Sequence, residues 1–192
     1  TRDLDRGFLV NRREVAWGTL AGAANEDTFH FTNCSPQQWR FNQSAEYWQG
    51  LERYVLEQGL FLQAGDLNLS VLQGPVFDAD QDLWADDLQI PSAFWKLVVW
   101  RGAEAPRAVA LVASQLELLD EFRGSLAPPG DDDPVAVNQF RISIPGLETL
   151  TQLDLSALRP FDTIADSGAP LVGAEALRQP SNRLRRWSDI RL

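Results

Sequence analysis

Apolar and polar positions alternate along this chain with two different periods. In Thr28-Phe29-His30-Phe31-Thr32-Asn33, β-branched and aromatic side chains predict a strand, which Cys34-Ser35-Pro36 is expected to end. Between residues 45 and 60, Trp48, Leu51 and Val55, with Tyr54 and Leu56 beside them, fall at helical spacing, with Gly59 as the closing signal. Residues 67–72 alternate and lead into Gly74-Pro75, which predicts a strand stopped by a turn. Residues 93–100 and 107–113 are nearly unbroken apolar runs joined through Gly102 to Pro106, the pattern of a hairpin. Residues 135–144 favour one more strand and residues 146–158 a short helix, whereas residues 1–13 read as an irregular lead-in ending in a short strand or turn. The stretches 78–89 and 124–134 are acidic surface loops, including Asp131-Asp132-Asp133, and residues 161–192 form a weakly patterned basic extension. Strands outnumber helices, so the expected class is α+β, a central and mostly antiparallel sheet with flanking helices.

Length and composition narrow this picture. With 192 residues, 44% of them hydrophobic, the chain suits one domain whose core needs no disulfide, and the lone Cys34 cannot form one internally. At 23% charged residues and with short apolar runs, neither a membrane span nor wholesale disorder is expected, which leaves a soluble globular chain. The net charge of -10 argues against a generic coat for polyanions. The arginines nevertheless cluster at the ends, at Arg2, Arg6, Arg12 and Arg13 and again at Arg178, Arg183, Arg185, Arg186 and Arg191. Termini sharing one face would make a local basic surface. No Met occurs, so Thr1 is not expected to be a translational start, and compartment is left open.

Few side chains are available for catalysis. A Ser-His-Asp or Cys-His hydrolase needs an imidazole base, and His30 is the one histidine; strand alternation would place it opposite Asn33 as a partly buried, hydrogen-bonded residue. Cys34 and His30 alone do not make a zinc site, and no glycine-rich phosphate loop is present. The polar stretch Asn33-Cys34-Ser35-Pro36-Gln37, then Phe41-Asn42-Gln43 and residues 48–52, suits a hard divalent cation that keeps its waters, and equally suits turns and caps. Leu184-Arg185-Arg186-Trp187 reads either as a grip on phosphate and bases or as an amphipathic tail packing Trp187.

Several spaced motifs carry a resemblance: Asp5-Arg6-Gly7-Phe8-Leu9, residues 27–37, Phe41-Asn42-Gln43 and Trp48-Gln49-Gly50-Leu51-Glu52, followed by Gly74-Pro75-Val76-Phe77 and residues 90–96. Over about residues 3–160 the chain resembles the DNA/RNA non-specific endonucleases of the ββα-metal fold. The resemblance implies an endonuclease dependent on Mg²⁺ or Mn²⁺ that cuts DNA or RNA backbones with little base preference. It makes Asn42 the metal ligand, Arg6 a phosphate contact, Asn33 a polar residue lining the site and Glu52 a carboxylate that orients metal-bound water or that arginine. Arg12 and Arg13 are the further candidates for nucleic-acid contact. Where the family carries the general-base His of Asp-Arg-Gly-His, this chain has Phe8, whose ring accepts no proton, so chemistry here is expected to be crippled. Either the natural protein has His at that position, or the base was lost and the scaffold kept as a pseudonuclease that binds a protein partner or nucleic acid. Family members usually carry strands upstream of this motif, so a preceding segment or another chain is expected to complete the sheet.

Overall fold

The computed structural model describes residues 3–63, 69–124, 139–164 and 190. In chain order its first half comprises β1 (Leu4–Phe8), α1 (Arg12–Val15), α2 (Ala21–Asp27), β2 (Cys34–Gln38), α3 (Trp39–Gln43) and α4 (Trp48–Gln63). Then follow β3 (Leu69–Val76), β4 (Leu83–Ala85), β5 (Leu88–Ile90), β6 (Ala93–Arg101), β7 (Pro106–Ser114), α5 (Leu116–Gly124), β8 (Gln139–Ile142) and α6 (Ile144–Thr151). Strands β3-β6-β7-β8 form an antiparallel sheet in that order, while β1 pairs with β2 and β4 with β5 as separate antiparallel ribbons.

The expected hairpin is β6–β7, and its unbroken apolar runs have a simple cause: both faces of the sheet are buried. Phe94, Val98 and Trp100 of β6 and Val109, Leu111 and Ala113 of β7 pack with Phe41, Trp48, Leu51 and Val55 from α3 and α4. Trp95, Leu97, Ala108, Ala110 and Val112 point the other way, into a second cluster with Ile144 and Leu147 of α6. Ile190 is buried in the first cluster.

Four boundaries differ from expectation. Residues 28–33 are not a strand: Thr28 caps α2, Phe31–Asn33 form a 3-10 turn, and the rings of Phe29 and Phe31 face water. The strand is the polar segment after it, β2, which runs through Pro36; a proline is tolerated there because β2 pairs on one side only. Strand β3 likewise passes through Gly74-Pro75 on a sheet edge, and a Cβ at Gly74 would stand 3.0 Å from Trp95 Nε1, so glycine serves close packing instead of a turn. Helix α4 begins at Trp48 and continues past Gly59, held by the burial of Trp48, Leu51 and Val55.

The stretch expected as a helix over 146–158 divides into α6, ended by Gln152 in the left-handed region at φ 59°, and a 3-10 turn Ser156–Phe161. Within the first acidic loop, the buried Asp82 accepts hydrogen bonds from the backbone N–H groups of Asp78 and Ser92 and from Gln89 Nε2, which folds the loop around β4–β5. The acidic triplet at 131–133, residues 135–138 and the arginines from Arg178 to Arg186 and Arg191 lie outside the described residues.

Candidate functional site

The β1–β2 ribbon carries the Asp-Arg-Gly-Phe motif. Its register sets Arg6 opposite Pro36 and Phe8 opposite Cys34. Alternation therefore puts Arg6 and Phe8 on one face of β1 and Asp5 and Gly7 on the other. Gly7 is buried, and a Cβ there would collide with the side chain of Gln37, itself fully buried with neither amide atom partnered. Buried Gln115 pins the ribbon to the main sheet: its Oε1 accepts from Gln38 N at 2.7 Å, and its Nε2 donates to Pro91 O at 2.6 Å and Pro36 O at 3.4 Å.

Asn42 reaches the ribbon from α3. The Gln38 side chain caps that short helix by accepting from Arg40 N and Phe41 N, and Phe41 anchors it in the core, stacked 6.0 Å from Trp48. The next residue, Asn42, donates through Nδ2 to Asp5 Oδ2 at 2.8 Å, and Gln43 Nε2 donates to the same oxygen at 2.7 Å. The amide is thereby oriented, and Asn42 Oδ1 has no partner among the described residues. Asp5 belongs to the first motif, where the sequence pattern assigns it no role; in the fold it is the group that holds Asn42.

Asn33 and Glu52 grip the segment that follows Phe8. Asn33 Oδ1 accepts from Val10 N, and its Nδ2 donates to Val10 O and Thr28 O, all at 2.9 Å. One residue on, Asn11 caps α1 and donates through Nδ2 to Glu52 Oε2 at 3.3 Å. Glu52 is 8% exposed and its Oε1 is buried without a partner. Burial pushes its carboxyl up to about 7; the nearby Lys96 ammonium opposes that rise, the Glu14 carboxylate adds to it, and the Asn11 bond and the adjacent Trp48 indole N–H, which stands outside good hydrogen-bond geometry, work against it. The fully buried Lys96 lies 3.3 Å from Glu14 Oε1 and 4.9 Å above the Trp48 ring, and Gln73 donates to the other Glu14 oxygen at 3.1 Å. No sequence pattern signals this buried network, because Glu14, Gln73 and Lys96 are dispersed along the chain and meet only through the sheet.

Arg12 and Arg13 line a cleft of about 450 Å³ together with Asn11, Gln49, Glu52 and Arg53. Arg6 sits apart from Glu52, with its guanidinium 5.9 Å over the Phe31 ring. Phe8 packs edge-on against Phe29, centroids 5.6 Å apart. His30 is not a buried strand residue: it caps the 3-10 turn, is 71% exposed and has Asp27 at 3.7 Å, because the segment that carries it is not a strand. The candidate residues thus fall into two groups: Asp5, Asn42 and Gln43 are bonded to one another, while Asn33 and Glu52 hold the adjacent residues Val10 and Asn11 just beyond β1. No cluster of three or more His, Cys, Asp or Glu side chains suited to a metal occurs among the described residues, so the donors on offer are amide and carboxylate oxygens taken singly.

The fold of this chain is like that of a chain in the crystal structure of the EndoG/EndoGI complex, solved to explain EndoG inhibition: TM-score 0.53 at 20% identity, over 81% of this chain and 60% of that one. A curated relative, the uncharacterized protein y4fB of Sinorhizobium fredii (strain NBRC 101917 / NGR234), is 46% identical over 96 residues, 49% of this chain. That segment is 14% of y4fB, so the chain spans a small part of this relative. Residues 1–160 match the sequence model of the DNA/RNA non-specific endonucleases, and with the motif residues assembled as described the chain belongs to that family.

Proposed function

We propose that this chain carries the metal- and phosphate-binding part of a non-specific endonuclease whose hydrolytic step is disabled at Phe8. The observation that carries the reading is the Asp5–Asn42 bond, which fixes the asparagine amide and leaves its carbonyl oxygen free to act as a donor. A hard oxygen donor of this kind suits Mg²⁺ or Mn²⁺, ions that keep several waters and need few protein ligands. Asn42 would hold the ion, and when bound it supplies Lewis-acid assistance to the scissile phosphate. Arg6 offers a guanidinium to phosphate, Arg12 and Arg13 extend that positive surface along the cleft, and Asn33 fixes the backbone that follows Phe8. The Phe8 ring can neither take a proton nor orient water. Retention of Asp5, Asn42 and Glu52 in bonded positions also favours a second reading, a pseudonuclease that binds nucleic acid without cutting.

Cleavage of supercoiled plasmid and of single-stranded RNA in Mg²⁺ or Mn²⁺, run with the chain and with Phe8→His, tests the proposal. The variant is expected to cut at least about 10²-fold faster, the lower range for general-base assistance. Equal and negligible rates for two folded proteins, both still binding the nucleic acid, would favour the pseudonuclease.

A further inference from the structure

Two aromatic rings from the turn before β2 close on the outer face of β1. Phe29 meets Phe8 edge-on at 84°, and Phe31 lies under the Arg6 guanidinium. Phe31 is 82% exposed and Phe29 54%, so phenyl faces stand in water beside a cation that has no ion-pair partner among the described residues. At the other end of the ribbon the arrangement repeats: Trp39 is exposed, with the Arg40 guanidinium 5.7 Å from its ring, and its backbone N–H donates to Asp3 O. Trp17, Phe77 and Trp84 are also exposed, but among the described residues no guanidinium stands over their rings. Both pairings of ring and arginine therefore fall on the ribbon or on the residues that directly flank β2.

A partner suited to this strip offers flat π faces and negative charge in one repeating unit. We propose that the strip binds single-stranded nucleic acid, with Phe31 and Phe29 stacking on unpaired bases and Arg6 taking a backbone phosphate. The proposal rests on the endonuclease reading above and deepens it by naming the substrate class. Bases in a duplex are stacked on one another and cannot offer their faces to these rings. A phosphate contact alone is indifferent to strandedness, so the phenylalanines are what confer the preference.

Fluorescence anisotropy without divalent metal tests this, using a labelled mixed-sequence oligonucleotide, its duplex and an abasic strand of equal length. The single strand is expected to bind more tightly than the duplex. Phe31→Ala and Phe29→Ala are each expected to weaken it about tenfold, within the range for loss of one stacked base, and to leave duplex binding unchanged. Phe31→Trp should retain the preference, and the abasic strand should bind all versions alike. Circular dichroism of each variant checks the fold. Duplex binding equal to single-strand binding, or equal loss of both on phenylalanine substitution, overturns the stacking strip while leaving the endonuclease reading in place. Failure of every nucleic acid to bind, with Mg²⁺ present as well as absent, overturns both. Loss of self-association in sedimentation on Phe31→Ala, with nucleic-acid binding intact, overturns the strip in favour of a contact between copies.

Discussion

At the scale of single residues, Glu52 is the group whose chemistry departs furthest from its ordinary state. Its carboxyl, near 4.5 in an unfolded chain, rises to about 7 because burial disfavours the charged form more than Lys96 and Asn11 favour it. Below about pH 4.5 the group is protonated in both states and contributes nothing. Between 4.5 and 7 the unfolded chain releases the proton while the folded chain keeps it, so stability falls as pH rises, and the loss is complete above 7. The full effect is about 3 kcal/mol, because each tenfold change in proton affinity between the two states is worth about 1.4 kcal/mol. Glu52→Gln preserves an acceptor for Asn11 and removes the titration. Its stability relative to the parent, measured by urea unfolding, is expected to climb across this window and level off above it; curves that stay parallel from pH 4.5 to 8 would refute the buried-acid picture. The same residue shows why part of the site is legible in sequence and part is not. Glu52 and Asn42 stand in recognisable motifs, but the partners that define their states, Asp5, Asn11, Glu14 and Lys96, lie 37, 41, 38 and 44 positions away from one or the other and meet only in the fold.

At the scale of elements, the β1–β2 ribbon is a two-stranded unit, marginal alone, and depends on what fastens it to the sheet. Gln115 is that fastening, bonding at once to Gln38, Pro36 and Pro91. Gln115→Ala strands a buried N–H and two carbonyls, and leaving a buried polar group unpaired costs about 1–3 kcal/mol. Thermal unfolding should register that loss, and hydrogen exchange at the Gln38 amide should accelerate; an unchanged melting temperature with unchanged protection would show that the ribbon is held elsewhere. Elements buried on both faces, such as β6 and β7, announce themselves by unbroken apolar runs, and α4 does so by the spacing of Trp48, Leu51 and Val55. The ribbon does not. Its strand β2 is Cys34-Ser35-Pro36-Gln37-Gln38, polar and interrupted by proline, while the aromatic segment just before it has strand-forming composition but spends it on exposed rings. Periodicity reports burial, and the segment that carries the candidate chemistry is neither regular nor deeply buried on its outer face.

At the scale of the whole molecule, the proposed function asks an acidic body to meet a polyanion. The net charge of -10 repels nucleic acid at a distance, but at 0.1 M salt charges more than about 10 Å apart are largely screened. What remains is local, and it is positive: Arg6 on the ribbon and Arg12 and Arg13 along the cleft beside Glu52, none with an ion-pair partner among the described residues. If these three neutralise three phosphates, the logarithm of duplex affinity should fall with the logarithm of salt at a slope of about -2.7, or 0.9 for each phosphate. Arg12→Ala and Arg13→Ala should each reduce the slope by about 1 and weaken binding without regard to base sequence. Titrations from low to physiological salt measure this directly. A slope near zero would rule out phosphate contact at this surface, whereas a slope twice the expected value would bring in further arginines. If only these few charges are engaged, affinity at physiological salt should be modest, and on the proposed reading it should be indifferent to base sequence.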